Sequence, residues 1–449
     1  MLARYALPLD IVAKFFPGER ALANWAYSLY FLVTAEIEAG YYPGMRVQKI
    51  VALVTLCTPM ICFAAGITDY SSHKVPTITL PKKGGSYIDP VFGTKVIRVT
   101  DSTDGTICTH AYSYWPAFNH EDNRLLISCD GLALLYKFDP STDTLTPDGT
   151  LQGSDGLHVQ AEGATWSYSS PDIIFAIDQM GTRLWKMDVS LRGAAGYTLL
   201  KDFKNWVPST AYIMALTTDL AGNVFSFYTR DRATGTPLRG YVWVRNIDKV
   251  YIYPTVSNHA LNETKIDKTG TYMMLNYDDN AMALWDFRAN TTQWFFPDNP
   301  MDDVAGHFDV GQYVIANGGG WQAGAVTRTF SDLRPPDWLV KYLRVDGTQN
   351  WTLCDHLSLR VLNEIFVVGS TYLGDGTHQP FEDEVYLAYL DGHGFVRLAH
   401  TRSMNNVFYY SQPRATVDMK GRYIVFTSDL GQTNRTDVMI VKIPPQYWP

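Results

Sequence analysis

The chain lacks the short motifs that would settle its chemistry at once. It has no Gly-x-Ser-x-Gly, P-loop, Gly-x-Gly-x-x-Gly or His-Glu-x-x-His run. Serine hydrolase, nucleotide and zincin chemistry therefore have no motif support. Positive charge is in deficit, with 37 Lys and Arg against 45 Asp and Glu and a net charge of −8. A broad basic face for nucleic acid is excluded, and an acidic ligand must meet a local cluster of Arg, Lys or metal. No stretch sustains a 3.6-residue apolar period long enough for more than a short helix.

Long apolar runs are scarce too. Ile50 to Ala65 is too short for a comfortable membrane span. It follows the basic start Met45-Arg46-Val47-Gln48-Lys49 and ends on Cys62-Phe63-Ala64-Ala65, the layout of a secretory signal peptide. The expectation is an upstream extension over 1–44, a signal peptide over 45–65, and an exported domain over 66–449, secreted or periplasmic, with no membrane partner. A helical membrane-associated domain over 1–65 is the competing reading. Of the five cysteines, Cys108, Cys129 and Cys354 remain after export. The first two fall on neighbouring strands of one hairpin, within disulfide reach. Cys354 is left over, either buried or put to use.

What the chain does have is repetition. Seven polar turns occur, at 118–123, 170–172, 219–223, 267–270, 309–311, 362–364 and 418–421. Each is followed by an apolar β run: LLIS, IIFAI, VFSFY, YMMLNY, YVIA, IFVVG and YIVFT. The third strands that follow lie about 40–60 residues apart. Units this small cannot bury a core alone, so the sequence predicts an all-β, seven-bladed β-propeller, with Lys95 to Val99 closing the ring onto the last blade.

In a propeller the first strand of each blade begins on the face where the second strand ends. First-strand starts give His110, Glu162, Tyr212, Glu263, His307, His356, Gln412 and Arg414. Second-strand ends include Asp130, Asp178 and Arg230. Tyr212 and Arg230 belong to one hairpin and are expected side by side. His307 and His356 open neighbouring blades; with Cys354, two residues before His356, and His378 in a loop, they form a possible set of zinc or other divalent metal ligands, N and S donors suited to zinc. The bland readings are a structural His110, an Arg230 salt-bridged to a carboxylate, and histidines that serve the fold.

Three stretches carry a resemblance: 383–388, 397–403, and Ser411-Gln412-Pro413-Arg414 through Gly421-Arg422-Tyr423-Ile424-Val425-Phe426-Thr427-Ser428-Asp429. They resemble secreted propeller polysaccharide lyases: oligogalacturonate lyases in the last hundred residues, and ulvan lyases in the layout of the first three blades. The resemblance implies β-elimination on a uronate polysaccharide. His110, Tyr212 and Arg230 match the ulvan-lyase catalytic residues, while Asp130 or its neighbours stand where that family has a second histidine. Glu162, Gln412 and Arg414 then line the substrate. In such a lyase an Arg or a metal stabilises charge on the uronate carboxylate, and a Tyr or His moves the proton. The expected partner is an acidic polysaccharide, met by a monomer. The competing class is a noncatalytic glycan- or protein-binding propeller.

Overall fold

The computed structural model describes residues 65–449 apart from 152–158, 192, 255–259, 278–280, 296–307, 318–325, 333–339, 347–355, 372–379, 392, 404–408 and 432–433; side chains at 159–162, 194, 295, 316–317, 326–332 and 340–346 are also outside the description. The chain divides into two units, Met1–Cys62 and Phe63–Pro449; the described residues belong to the second. The segments expected as upstream extension and signal peptide thus lie almost wholly outside them. No described helix is long and apolar enough to cross a membrane. The helices described are four short 3-10 turns.

The strands pair antiparallel into a β-propeller. Six sheets of four strands are each cut from one continuous run: blade one from 108–150, blade two from 159–202, blade three from 211–252, blade four from 261–295, blade five from 308–346 and blade six from 356–400. The remaining sheet has five strands and comes from both ends of the domain. Ser86–Ile88 and Lys95–Arg98 join Thr416–Val417, Tyr423–Ser428 and Asp437–Lys442, with Val96 opposite Val441. Seven like repeats were expected. The correction is six continuous blades and a composite closing sheet, in which the last run supplies only three strands; its completion by Lys95–Arg98 is as expected, and Ser86–Ile88 adds a fifth strand. First strands of successive blades touch, from blade two round to the closing sheet.

All seven expected turns join a first strand to a second, and four share one local solution. Asn119, Asp219, Asp267 and Asp418 each accept the backbone N–H groups four and five residues ahead, at 2.6–3.0 Å. This Asx geometry needs a left-handed residue at the fourth position. Gly222, Gly270 and Gly421 supply it with φ of 64°, 70° and 68°, and Asp122 does so at 55°. At Gly270 a Cβ would also come within 2.8 Å of Val224 Cγ2, so the turn and the packing of blade four on blade three require the same glycine.

The channel end beside these turns is closed by buried ions. Lys268 Nζ lies 2.6 Å from Glu364 and donates to the Val361 carbonyl at 2.6 Å. Arg360 grips Asp309 through a two-pronged guanidinium contact and donates to the Tyr168 hydroxyl at 2.8 Å. Blades two, four, five and six are thereby joined. Burial pushes the Lys268 ammonium down to about 8 against the pull of Glu364.

Candidate functional site

Blade one departs from a regular strand, and this shapes the mouth. Its first strand pairs over Cys108–Thr109 and touches the second again at Phe118, opposite Leu125. Between these points the chain leaves the sheet. Pro116 lacks the N–H that a central strand position needs, and Tyr112, Tyr114 and Trp115 turn inward. Trp115 Nε1 donates to Leu216 O in blade three at 2.6 Å, and the Tyr114 hydroxyl to Glu263 in blade four at 2.9 Å. The Tyr112 hydroxyl meets His356 Nε2 of blade six at 3.0 Å, and Thr416 of the closing sheet donates to Trp115 O. Residues 110–116 thus form an aromatic floor across the channel, tied to four sheets. The local sign of this departure from an ordinary strand is three aromatics within four residues followed by a proline.

Around that floor stand charged groups. Lys265 is buried, its Nζ 3.4 Å from the Tyr114 ring centroid, 3.6 Å from that of Phe308 and 3.2 Å from Glu263 Oε2. Burial pulls its ammonium down to about 8, opposed by Glu263. Tyr212 lies directly opposite Arg230 across the first two strands of blade three, so the two side chains share a face. The Arg230 guanidinium lies 5.5 Å from the Tyr228 ring, and Arg232 lies 5.9 Å from the Tyr212 ring. Tyr212 packs on the same cluster as Tyr112, Tyr114 and Trp115.

Arg414 is 1 % exposed, at φ 46°. Its guanidinium lies 5.3, 4.9 and 5.7 Å from the rings of Tyr112, Tyr409 and Tyr410. Its Nε makes a long contact of 3.4 Å to Gln412 O, while Nη1 and Nη2 have no hydrogen-bond partner among the described residues. His110 holds it from below. Nε2 faces the Arg414 carbonyl at 2.5 Å and Nδ1 faces the Thr427 hydroxyl at 3.1 Å. Full burial, with Arg414 adding to it, drives the His110 imidazole down to about 3, so it stays neutral.

Several expectations need correction. His110 is not a proton carrier at the mouth: it is fully buried, and both ring nitrogens are engaged inside the protein. Asp130 does not stand in for a catalytic histidine, because its carboxylate accepts the N–H groups of Thr106 and Ile107 at 3.0 and 2.8 Å and ties down a loop. Asp178 is likewise occupied, by Arg183 and Trp185. The expected disulfide is present, joining Cys108 to Cys129. Of the metal set, His307, Cys354 and His378 lie outside the described residues, and His356 Nε2 meets Tyr112. Among the described residues no group of three His, Cys, Asp or Glu is placed to hold a metal. The Glu162 side chain is outside the description; Gln412 is half-buried beside Arg414.

No protein-family model matches the sequence, and no curated protein matches it. Solved structures do match in fold. An oligogalacturonate lyase in complex with manganese aligns with a TM-score of 0.62 at 15 % identity, covering 82 % of this chain and 99 % of its own. The oligogalacturonate lyase of Vibrio parahaemolyticus aligns with a TM-score of 0.60 at 13 % identity, covering 84 % and 100 %. At such identities the likeness establishes architecture alone: this chain has the all-β propeller fold that oligogalacturonate lyases have.

Proposed function

We propose that this protein is a polysaccharide lyase that cleaves an acidic, uronate-containing polysaccharide of the ulvan kind by β-elimination, at the mouth opposite the ion-closed end. The observation that carries the reading is the Tyr212–Arg230 pair, opposite one another on one sheet face beside an aromatic floor. Elimination removes the proton from C5 and breaks the C4–O4 bond. The electron pair becomes the C4=C5 double bond, and a proton goes to O4. Arg230 stabilises the charge that develops on the uronate carboxylate. Tyr212, flanked by Arg232, takes the C5 proton and returns one to O4, ending as it began. His110 acts as a positioning residue through the Arg414 backbone. The likeness of fold to oligogalacturonate lyases supports the reaction class. The Cys108–Cys129 disulfide supports an exported, oxidised protein. It acts as a monomer on its polymer.

The test is ultraviolet absorbance of the conjugated product on a panel of uronate polysaccharides. Wild type is expected to generate it. Arg230→Ala, at a half-exposed position, should lower kcat by about 100- to 1000-fold with little change in melting temperature. Full turnover in that variant would sink the mechanism.

A further inference from the structure

We propose that Arg414 is the residue that selects a uronate, by taking the carboxylate of a sugar whose ring stacks on Tyr409 and Tyr410. This rests on the lyase reading for the substrate class but not for the site itself. A guanidinium out of water is costly unless its N–H groups are paired. Arg414 is 1 % exposed, yet among the described residues Nη1 and Nη2 have no partner and neither Asp nor Glu is ion-paired to it. The three tyrosine rings at 4.9–5.7 Å offer their π faces, which attract a cation without using its N–H groups. The two terminal nitrogens of the fork are thus left over, and a planar carboxylate is the group that matches them two-for-two.

The cover over this guanidinium is what a sugar ring needs. Tyr409 and Tyr410 sit on a 3-10 turn, Tyr409–Ser411, and are 52 % and 40 % exposed. Exposed aromatic faces next to a buried cation suit a pyranose that bears an acid. Beneath, the backbone of Arg414 is fixed in the left-handed region by His110, which is itself held by Thr427. The anchor is therefore built rather than incidental. A carboxylate reaches it once the exposed Tyr409 and Tyr410 side chains swing aside, and their rings then lie against the sugar. Arg414 binds ground state and transition state alike, whereas Arg230 acts as charge develops. The two arginines separate as a KM effect and a kcat effect.

Calorimetric titration with trigalacturonate, its fully methyl-esterified counterpart, and a glucuronate-containing trisaccharide tests this. Wild type is expected to bind at least one free acid and to bind the neutral ester about 10- to 100-fold more weakly, the range of a lost charge-assisted hydrogen-bond pair. Arg414→Gln should lose the same factor for the acid and nothing for the ester. Arg414→Lys should recover part of it, and Tyr410→Ala should weaken acid and ester together. Should Arg414→Gln fail to fold, the acid-to-ester ratio in wild type and in Arg414→Lys decides. Unchanged acid affinity in a folded Arg414→Gln, equal binding of acid and ester by wild type, or no binding of any probe would each overturn the proposal. Arg414-dependent acid binding with no unsaturated product would uphold the anchor while ending the lyase reading.

Discussion

Reducing the disulfide tests how the floor of the mouth is held. The Cys108–Cys129 bond closes a loop of sequence separation 21, and that loop carries Tyr112, Tyr114 and Trp115. Loop-closure entropy for a ring of this length is worth about 3 kcal/mol at room temperature. Over Phe63–Pro449, an unfolding entropy of about 2 cal/mol/K per residue sums to roughly 0.8 kcal/mol/K, so the melting temperature should fall by about 4 °C. Calorimetry of wild type with and without dithiothreitol isolates this contribution, because no atom but hydrogen is added. The variant with both Cys108→Ala and Cys129→Ala should lose more, by about 1 kcal/mol per site, since the two residues are 0 % and 1 % exposed and each leaves a small void. Its melting should be indifferent to reductant. Reduced wild type melting within about 1 °C of oxidised wild type would refute the loop-closure reasoning.

Tyr212→Phe keeps the ring against the aromatic cluster but removes the hydroxyl; kcat for unsaturated product is expected to drop about 100-fold or more, with melting unchanged. The His110 imidazole is held near 3 when folded against an ordinary 6.5, so the unfolded chain takes its proton first. Its contribution to stability is whole above about pH 6.5 and is lost as pH falls toward about 3, at about 1.4 kcal/mol per pH unit. Urea titrations of His110→Gln across that window should show the slope reduced by one proton; coincident slopes would contradict the assignment. Asp309→Ala strands the Arg360 guanidinium, whose side chain is 4 % exposed, and should cost about 3–5 kcal/mol in urea unfolding. A loss below about 1 kcal/mol would show that the ion-closed end contributes little.

The sequence by itself determined whatever is settled within a few residues. Asn or Asp at the head of a turn, bonding two N–H groups four and five residues on, marks Asn119, Asp219, Asp267 and Asp418 as hairpin starts. The apolar runs after them are second strands because they lie buried on both faces. Those turns also made the Tyr212–Arg230 pairing legible, and with it the Cys108–Cys129 pairing. Even there a structural detail intervened: the register shifts between Met214 and Thr217, where Ala215 takes a φ of 53°, and this decides which residue Tyr212 faces.

Tertiary structure alone decided the rest. The aromatics and Pro116 hint that 110–116 leaves its sheet, but where it goes is not local, since the partners that hold it are Leu216, Glu263, His356 and Thr416, more than a hundred residues away in sequence. His110 looked like a mouth residue by strand phase. The departing loop places it instead in the seam with the closing sheet, where burial makes it a neutral tether. Arg414 could be assigned to the mouth from sequence. That its guanidinium is buried, boxed by three tyrosines and left with two unpartnered nitrogens depends on four segments meeting at one point, because hydrogen-bond satisfaction is a property of the assembled interior and not of any stretch of chain.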